Sequence, residues 1–499
     1  MKSKKLMLLL LVITIITAIM ISCAEKSGDK NPTENGSKTD IKDPDVTDNL
    51  SHLPNTKYDG YTFTFMAFPV PDNDGDMPLE APLELVAEVE NDPEKLSDPI
   101  ISAVFERNEK IMEKFNVKFD MKRVATDIYT DLTNIVNSDD ATYDAVIIPG
   151  NAIQTVVKGA LLTNISKLTY IDLDNPWWDD GVKSVSINNQ HYLLGGDMLI
   201  LDNEATNALL FNKKLMQNDG MDFPYALVKE GKWTLDEFNK YIKDAAKDMN
   251  GDNAIKYKDD RYGFVSFNDT LLALFVGGGA NLARKDSDDL PYITFNEARN
   301  INVYQKVIDI MKSKDYNLNV QQGIASAEWN TVFYGTFEED RALFQWVRMR
   351  AVEKFRGMES EFGIIPLPKY DELQENYYSL VNPYTSMLLG VPRSAKDLDR
   401  ISVILEALAA ESGELQHAYY DIALQRKHAR DEESREMLDI IFNSRVYDVG
   451  AVYGFGDMAN AFIGLCSNPK SDITSFYDKN QGKINRAIND VVAVFQDME

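Results

Sequence analysis

Acid and amide side chains bunch at Asp202-Asn203-Glu204, with Thr206 and Asn207 close behind. Side chains of this kind hydrogen-bond hydroxyl groups, and an aromatic ring supplies the flat apolar surface on which a sugar face or planar ligand stacks. The rings placed to do so are Trp178 of the adjacent pair Trp177-Trp178, Trp329 and Trp346 at the two ends of an aromatic-rich run, and Tyr384. Adjacent tryptophans cannot both face one core, so one ring of the pair is expected to be exposed.

Other chemistries find little support. With 79 acidic residues, two carboxylates at a glycosidase separation are inevitable and carry no information. The four histidines form no HExxH or HxH spacing, no GxSxG elbow occurs, and no glycine-rich phosphate loop follows a strand. Asp248-x-Asn250-x-Asp252 has the opening spacing of a calcium loop, but Asn253 replaces the required glycine and Lys256 falls at a ligand position. A polar turn is the better reading, so no metal and no cofactor is assigned. A net charge of −27 argues against a nucleic-acid partner.

The amino terminus reads as an address. Lys2, Lys4 and Lys5 precede an apolar run from Leu6 to Ile21, followed by Ser22 and Cys23. This is a secretory signal over residues 1–22, short for a membrane span. A small residue before Cys23 matches a bacterial lipoprotein processing site, although Met20 stands where leucine is usual. Cys23 is therefore the expected lipidation point, holding the protein at the outer face of the cytoplasmic membrane. Residues 23–57 then form a polar, disordered tether. Of the two cysteines only Cys466 lies in the body, so no internal disulfide framework is available.

The elements that position the candidate residues follow from periodicity. Tyr61–Phe68 is a β-branched and aromatic strand, Pro99–Phe115 an amphipathic helix, Val117–Met121 a strand, Tyr129–Val136 a helix and Ala145–Ile148 a strand. This alternation predicts a parallel sheet with right-handed crossovers, whose carboxyl ends collect ligands. Phe68 and Asn151, at two such ends, become contact candidates. Tyr192–Lys214 reads either as a solvated hairpin or as a passage between lobes, with Asp202-Asn203-Glu204 at its elbow. Thr234 with Glu237 makes a capping box that opens a helix running to Met249. Helical patterns finish the chain from Asp397 onward.

Taken together, Tyr61-Thr-Phe-Thr-Phe, Phe211-Asn-Lys-Lys-Leu, Gly231-Lys-Trp-Thr-Leu-Asp-Glu-Phe, Phe337–Phe344 and Phe362–Pro368 with Lys369-Tyr-Asp fall in an order that resembles family 1 extracellular solute-binding proteins. These are the lipid-anchored receptors of bacterial ABC importers. The resemblance implies an α/β, two-lobe periplasmic-binding-protein-like fold, each lobe a βα sheet, with a ligand cleft between them. It places the lobes at 58–200 with 379–412 and at 205–378 with 413–499. It also implies a monomer that closes on a small solute, commonly a sugar, and presents it to permease subunits. A secreted carbohydrate-active enzyme and a surface sensor or adhesin are the alternatives.

Overall fold

The computed structural model describes residues 49–67, 84–87, 89, 93–124, 127–425, 432–468 and 472–497. Phe68, Cys23 and the signal segment 1–22 lie outside the described residues.

The amino-terminal alternation folds as βαβαβ. Strand β1 (Tyr61–Ala67) leads through helix α1 (Pro99–Phe115) to β2 (Val117–Arg123), and α2 (Ile128–Asn137) leads on to β3 (Ala145–Pro149). Both β2 and β3 run parallel to β1, with Phe63 opposite Phe119 and Phe65 opposite Ala145. The Asp98 carboxylate caps α1 by accepting from the amides of Ile100 and Ile101, just before proline at the first helical position.

Beyond this sheet the chain forms one helical turn, α3 (Leu201–Glu204), and enters β4 (Asn207–Asn212). It continues through α4 (Leu235–Ala245), β5 (Tyr262–Ser266), β6 (Asn317–Asn319), α5 (Trp329–Glu338), β7 (Ala342–Arg348) and β8 (Phe362–Ile365). It then returns in β9 (Met387–Gly390), α6 (Leu398–Ala410) and α7 (Gly413–Gln425). The first sheet has strand order β9-β3-β1-β2 and the second β8-β4-β7-β5-β6. In the second sheet β4 is antiparallel to β8 and β7, whereas β7, β5 and β6 run parallel.

Helix α4 shows how sequence sets packing. The Thr234 hydroxyl accepts from the Glu237 amide at 3.3 Å, as the capping box requires. Leu235, Phe238, Ile242 and Ala245 are buried on one stripe, and the Phe238 ring meets Phe264 and Phe344 edge-on at 5.0 and 5.3 Å. The helix ends at Ala245, short of the expected Met249.

Two expectations need correction. Residues 49–57 are not a loose tether: Leu50 and Leu53 are buried in the first core, and the Asn49 amide donates to the Ala410 carbonyl at 3.1 Å. Two leucines in a polar stretch suffice to dock it. Helix α7 packs on α1 through Leu415 and Tyr419 against Val104, so residues 413–425 lie with the first sheet although the resemblance implied the second lobe.

The first core closes over Glu406, which is fully buried on α6. Its carboxylate accepts from Asn175 Nδ2 at 2.7 Å, Trp178 Nε1 at 2.8 Å and Trp177 Nε1 at 3.0 Å. Burial raises its pKa, while these hydrogen bonds pull the other way. Substituting Glu406→Ala strands those donors. We expect a loss of about 3 kcal/mol in unfolding free energy, read by denaturant titration. A change under about 0.5 kcal/mol, the scale of an ordinary surface substitution, would show the cluster to be dispensable.

Candidate functional site

Two passages of chain join the sheets and lie side by side. Thr206 bridges Val381 in antiparallel fashion, the Asn382 amide donates to the Ala205 carbonyl at 2.9 Å, and Asn207 Nδ2 donates to the Leu380 carbonyl at 2.6 Å. A third segment, Arg445–Val446, pairs in parallel with Ser379–Leu380. Both sheets abut this crossing. From the first, the Gly150 amide at the end of β3 donates to the Ser386 carbonyl at 2.9 Å. A Cβ at Gly150 would sit 1.7 Å from the Pro383 carbonyl oxygen, so only glycine permits the approach. From the second, the Met349 amide beyond β7 donates to the Thr206 carbonyl at 2.9 Å.

The elbow residues Asp202, Asn203 and Glu204 sit in this crossing as the helical turn α3, where strand-flanked polar loop was expected. Their polar groups are largely taken up within the protein. Asp202 Oδ2 accepts from Arg445 Nη1 at 3.1 Å and Oδ1 from the Asn203 amide at 2.8 Å. Asn203 also accepts from Arg445 and donates through Nδ2 to Gln416 Oε1 at 2.7 Å. Glu204 Oε2 receives Arg350 Nη1 at 3.1 Å. Asp179 completes the group, 3.6 Å from Arg445 Nη2. These side chains are placed to lock the crossing.

The cluster carries more buried acid than base. Burial raises the Asp202 carboxyl to about 7, opposed by Arg445 and reinforced by Asp179. Burial likewise lifts Asp197 to about 6. Near the same turn, burial and then Glu204 raise Glu84 to about 8, and its Oε1 accepts from the Ile200 amide at 3.3 Å.

The expected aromatic contacts divide. Trp178 is a core residue, buried and held by Glu406, so its ring offers no free face. Trp346 is also buried, because β7 is an inner strand; its ring meets Phe333 at 6.3 Å and Phe267 at 6.4 Å. Trp329 opens α5 half-buried, one turn before Phe333, and donates through Nε1 to the Ile324 carbonyl at 3.0 Å. Tyr384 lies on the returning passage, half-buried, with its hydroxyl on Asn460 Oδ1 at 2.8 Å. Burial, then Asp457 and Asp269, push its phenol well above the ordinary value. Asn151 follows the end of β3 in a single helical turn. Sequence reading missed Arg348, Arg350 and Arg445; the clustered cations of Trp346-Val-Arg-Met-Arg350 hinted at the first two, and nothing local marked Arg445.

The Asp248, Asp252 and Asp260 carboxylates come within 4.8 Å of one another. Asp248 accepts from the Gly251 and Asn253 amides, Asp260 from the Met249 and Lys256 amides, and Asp252 from Lys256 Nζ. A polar turn accounts for these contacts. A cavity of about 370 Å³ is lined by Tyr257, Lys258, Tyr262, Lys314 and Ile324. It belongs to the second sheet alone, so a ligand there would gain nothing from movement of one sheet toward the other.

Among the described residues no helix is long and apolar enough to cross a membrane. In sequence, no family model and no curated protein matches the chain. Solved structures do match. UspC of M. tuberculosis aligns with a TM-score of 0.55 at 12% identity, covering 87% of this chain and 100% of that one. A sugar transporter of Rhizobium etli in an open conformation gives 0.53 at 12%, covering 88% and 99%. A cyclo/maltodextrin-binding protein complexed with maltotetraose gives 0.51 at 16%, covering 87% and 96%. These likenesses establish the fold as α/β, with the two-lobe architecture of periplasmic binding proteins.

Burial of the Asp202 carboxyl gives the fold a pH dependence. A carboxyl whose folded pKa stands above its unfolded one binds a proton in the folded state first, so its contribution is present at low pH and lost as pH rises. Wild-type stability should therefore fall between about pH 4 and the folded value near 7, relative to Asp202→Asn. Melting temperatures across this range test it, and parallel profiles would contradict the assignment.

Proposed function

We propose that this chain is an extracellular solute-binding lipoprotein that captures a sugar or oligosaccharide by closure of its two lobes and hands it to an ABC permease. The observation that carries the reading is the crossing: two sheets joined by paired passages, in a fold shared with proteins described as sugar transporters and maltodextrin binders. Flexing about short paired segments moves each lobe as a body, and a solute touching both lobes stabilises the closed form. The first lobe would comprise 49–200 with 387–425, and the second 207–379 with 432–497. Trp329 and Tyr384 are the rings proposed to pack on the ligand, while Asp202 and Asn203 hold the crossing. Anchoring through Cys23 at the outer membrane face, a monomeric state and the absence of catalysis belong to the same reading.

Calorimetry with neutral mono- and oligosaccharides, followed by mass spectrometry of the recovered ligand, tests it. We expect 1:1 binding with the sugar returned intact, and about a tenfold loss of affinity in Trp329→Ala. Turnover of the sugar, or no binding by any carbohydrate, would overturn the proposal.

A further inference from the structure

Arg348, the last residue of β7, stands out among the cations. It is half-buried, yet no hydrogen bond, ion pair or aromatic face meets its guanidinium among the described residues. Every other arginine that is at least half-buried, with its side chain described, has a partner. Arg261 pairs with Asp219, Arg299 with Asp371, Arg350 with Glu204 and Arg445 with Asp202, while Arg107 donates to Ser412 and two carbonyls. The remaining three, Arg284, Arg341 and Arg400, pair with acids close in sequence. A partly desolvated guanidinium without an anion is costly, and in a chain of 79 acids against 52 bases a partner would be easy to supply.

The groups around it have unfilled capacity of their own. Alternate residues of a strand share a face, so Trp346 and Arg348 project together, and the register sets Asn207 opposite Arg348. Trp346 Nε1 and Asn207 Oδ1 are buried without a hydrogen-bond partner. So is Thr385 Oγ1, three residues beyond the contact of Asn382 with Ala205. Buried polar atoms are normally satisfied, and Asn207 and Thr385 lie on the two passages of the crossing.

We infer that Arg348 receives the carboxylate of an acidic sugar, a uronate-bearing oligosaccharide, with Trp346 Nε1–H and Asn207 Oδ1 completing the subsite. Two N–H donors, one of them cationic, match a carboxylate, and the amide oxygen matches a neighbouring hydroxyl. The inference rests on the sugar-capture reading above and adds the charge of the solute.

Calorimetry on the whole protein with matched trisaccharide pairs tests it: galacturonate against galactose, glucuronate against glucose, mannuronate against mannose. In at least one pair the acid should bind about tenfold or more tighter than its neutral counterpart, with the advantage shrinking as salt rises. Arg348→Gln should erase that advantage and leave the neutral ligand within about twofold, while Arg348→Lys retains part of it. Circular dichroism melts establish that both variants fold. Neutral sugars binding as well as or better than the acids in all three pairs, or a preference surviving Arg348→Gln, would overturn the inference and leave sugar capture standing. Failure of every sugar, charged or neutral, would overturn both.

Discussion

The crossing depends on one guanidinium. Arg445 reaches Asp202 and Asn203 on the outgoing passage and Asp179 on the first lobe, while its own strand pairs with the returning passage at Ser379–Leu380. Its side chain and its strand together thus join the outgoing and returning passages, which are remote in sequence. Buried ion pairs of this kind seldom add much net stability, because desolvation offsets the attraction. What they supply is a defined geometry: removing one partner is far costlier than holding both, so the segments keep one arrangement. A crossing held this way keeps its strands from slipping against one another.

Around that point each sheet is packed in its own way. The first is closed over Glu406 and its two indole donors, the second over the mostly edge-on aromatic cluster of Trp233, Phe238, Phe264 and Phe344. Dense packing of this sort does not deform continuously. The close approach of Gly150 to Pro383 leaves no room for a side chain between β3 and the returning strand.

Much of the architecture was legible in the sequence because it is local. The first five elements follow from period-2 and period-3.6 patterning, and the start of α4 from Thr234 and Glu237. The site was less legible because its roles depend on remote partners. Asp202-Asn203-Glu204 has the composition of a ligand elbow, and nothing nearby reveals that Arg445 waits more than two hundred residues on. Trp177-Trp178 suggested one exposed ring, but Glu406 accepts from both indoles and removes the conflict. Residues 49–57 read as tether because the stretch is polar, and the first core supplies the surface on which Leu50 and Leu53 dock.

In the proposed mechanism the two lobes close about this crossing on a bound solute. Pulsed electron-electron resonance between spin labels at the exposed positions Glu109 on α1 and Lys240 on α4 measures it directly. Saturating the protein with the sugar that binds it best should move the distance distribution to a shorter, narrower population. A distribution unchanged between the free and saturated protein would contradict the account.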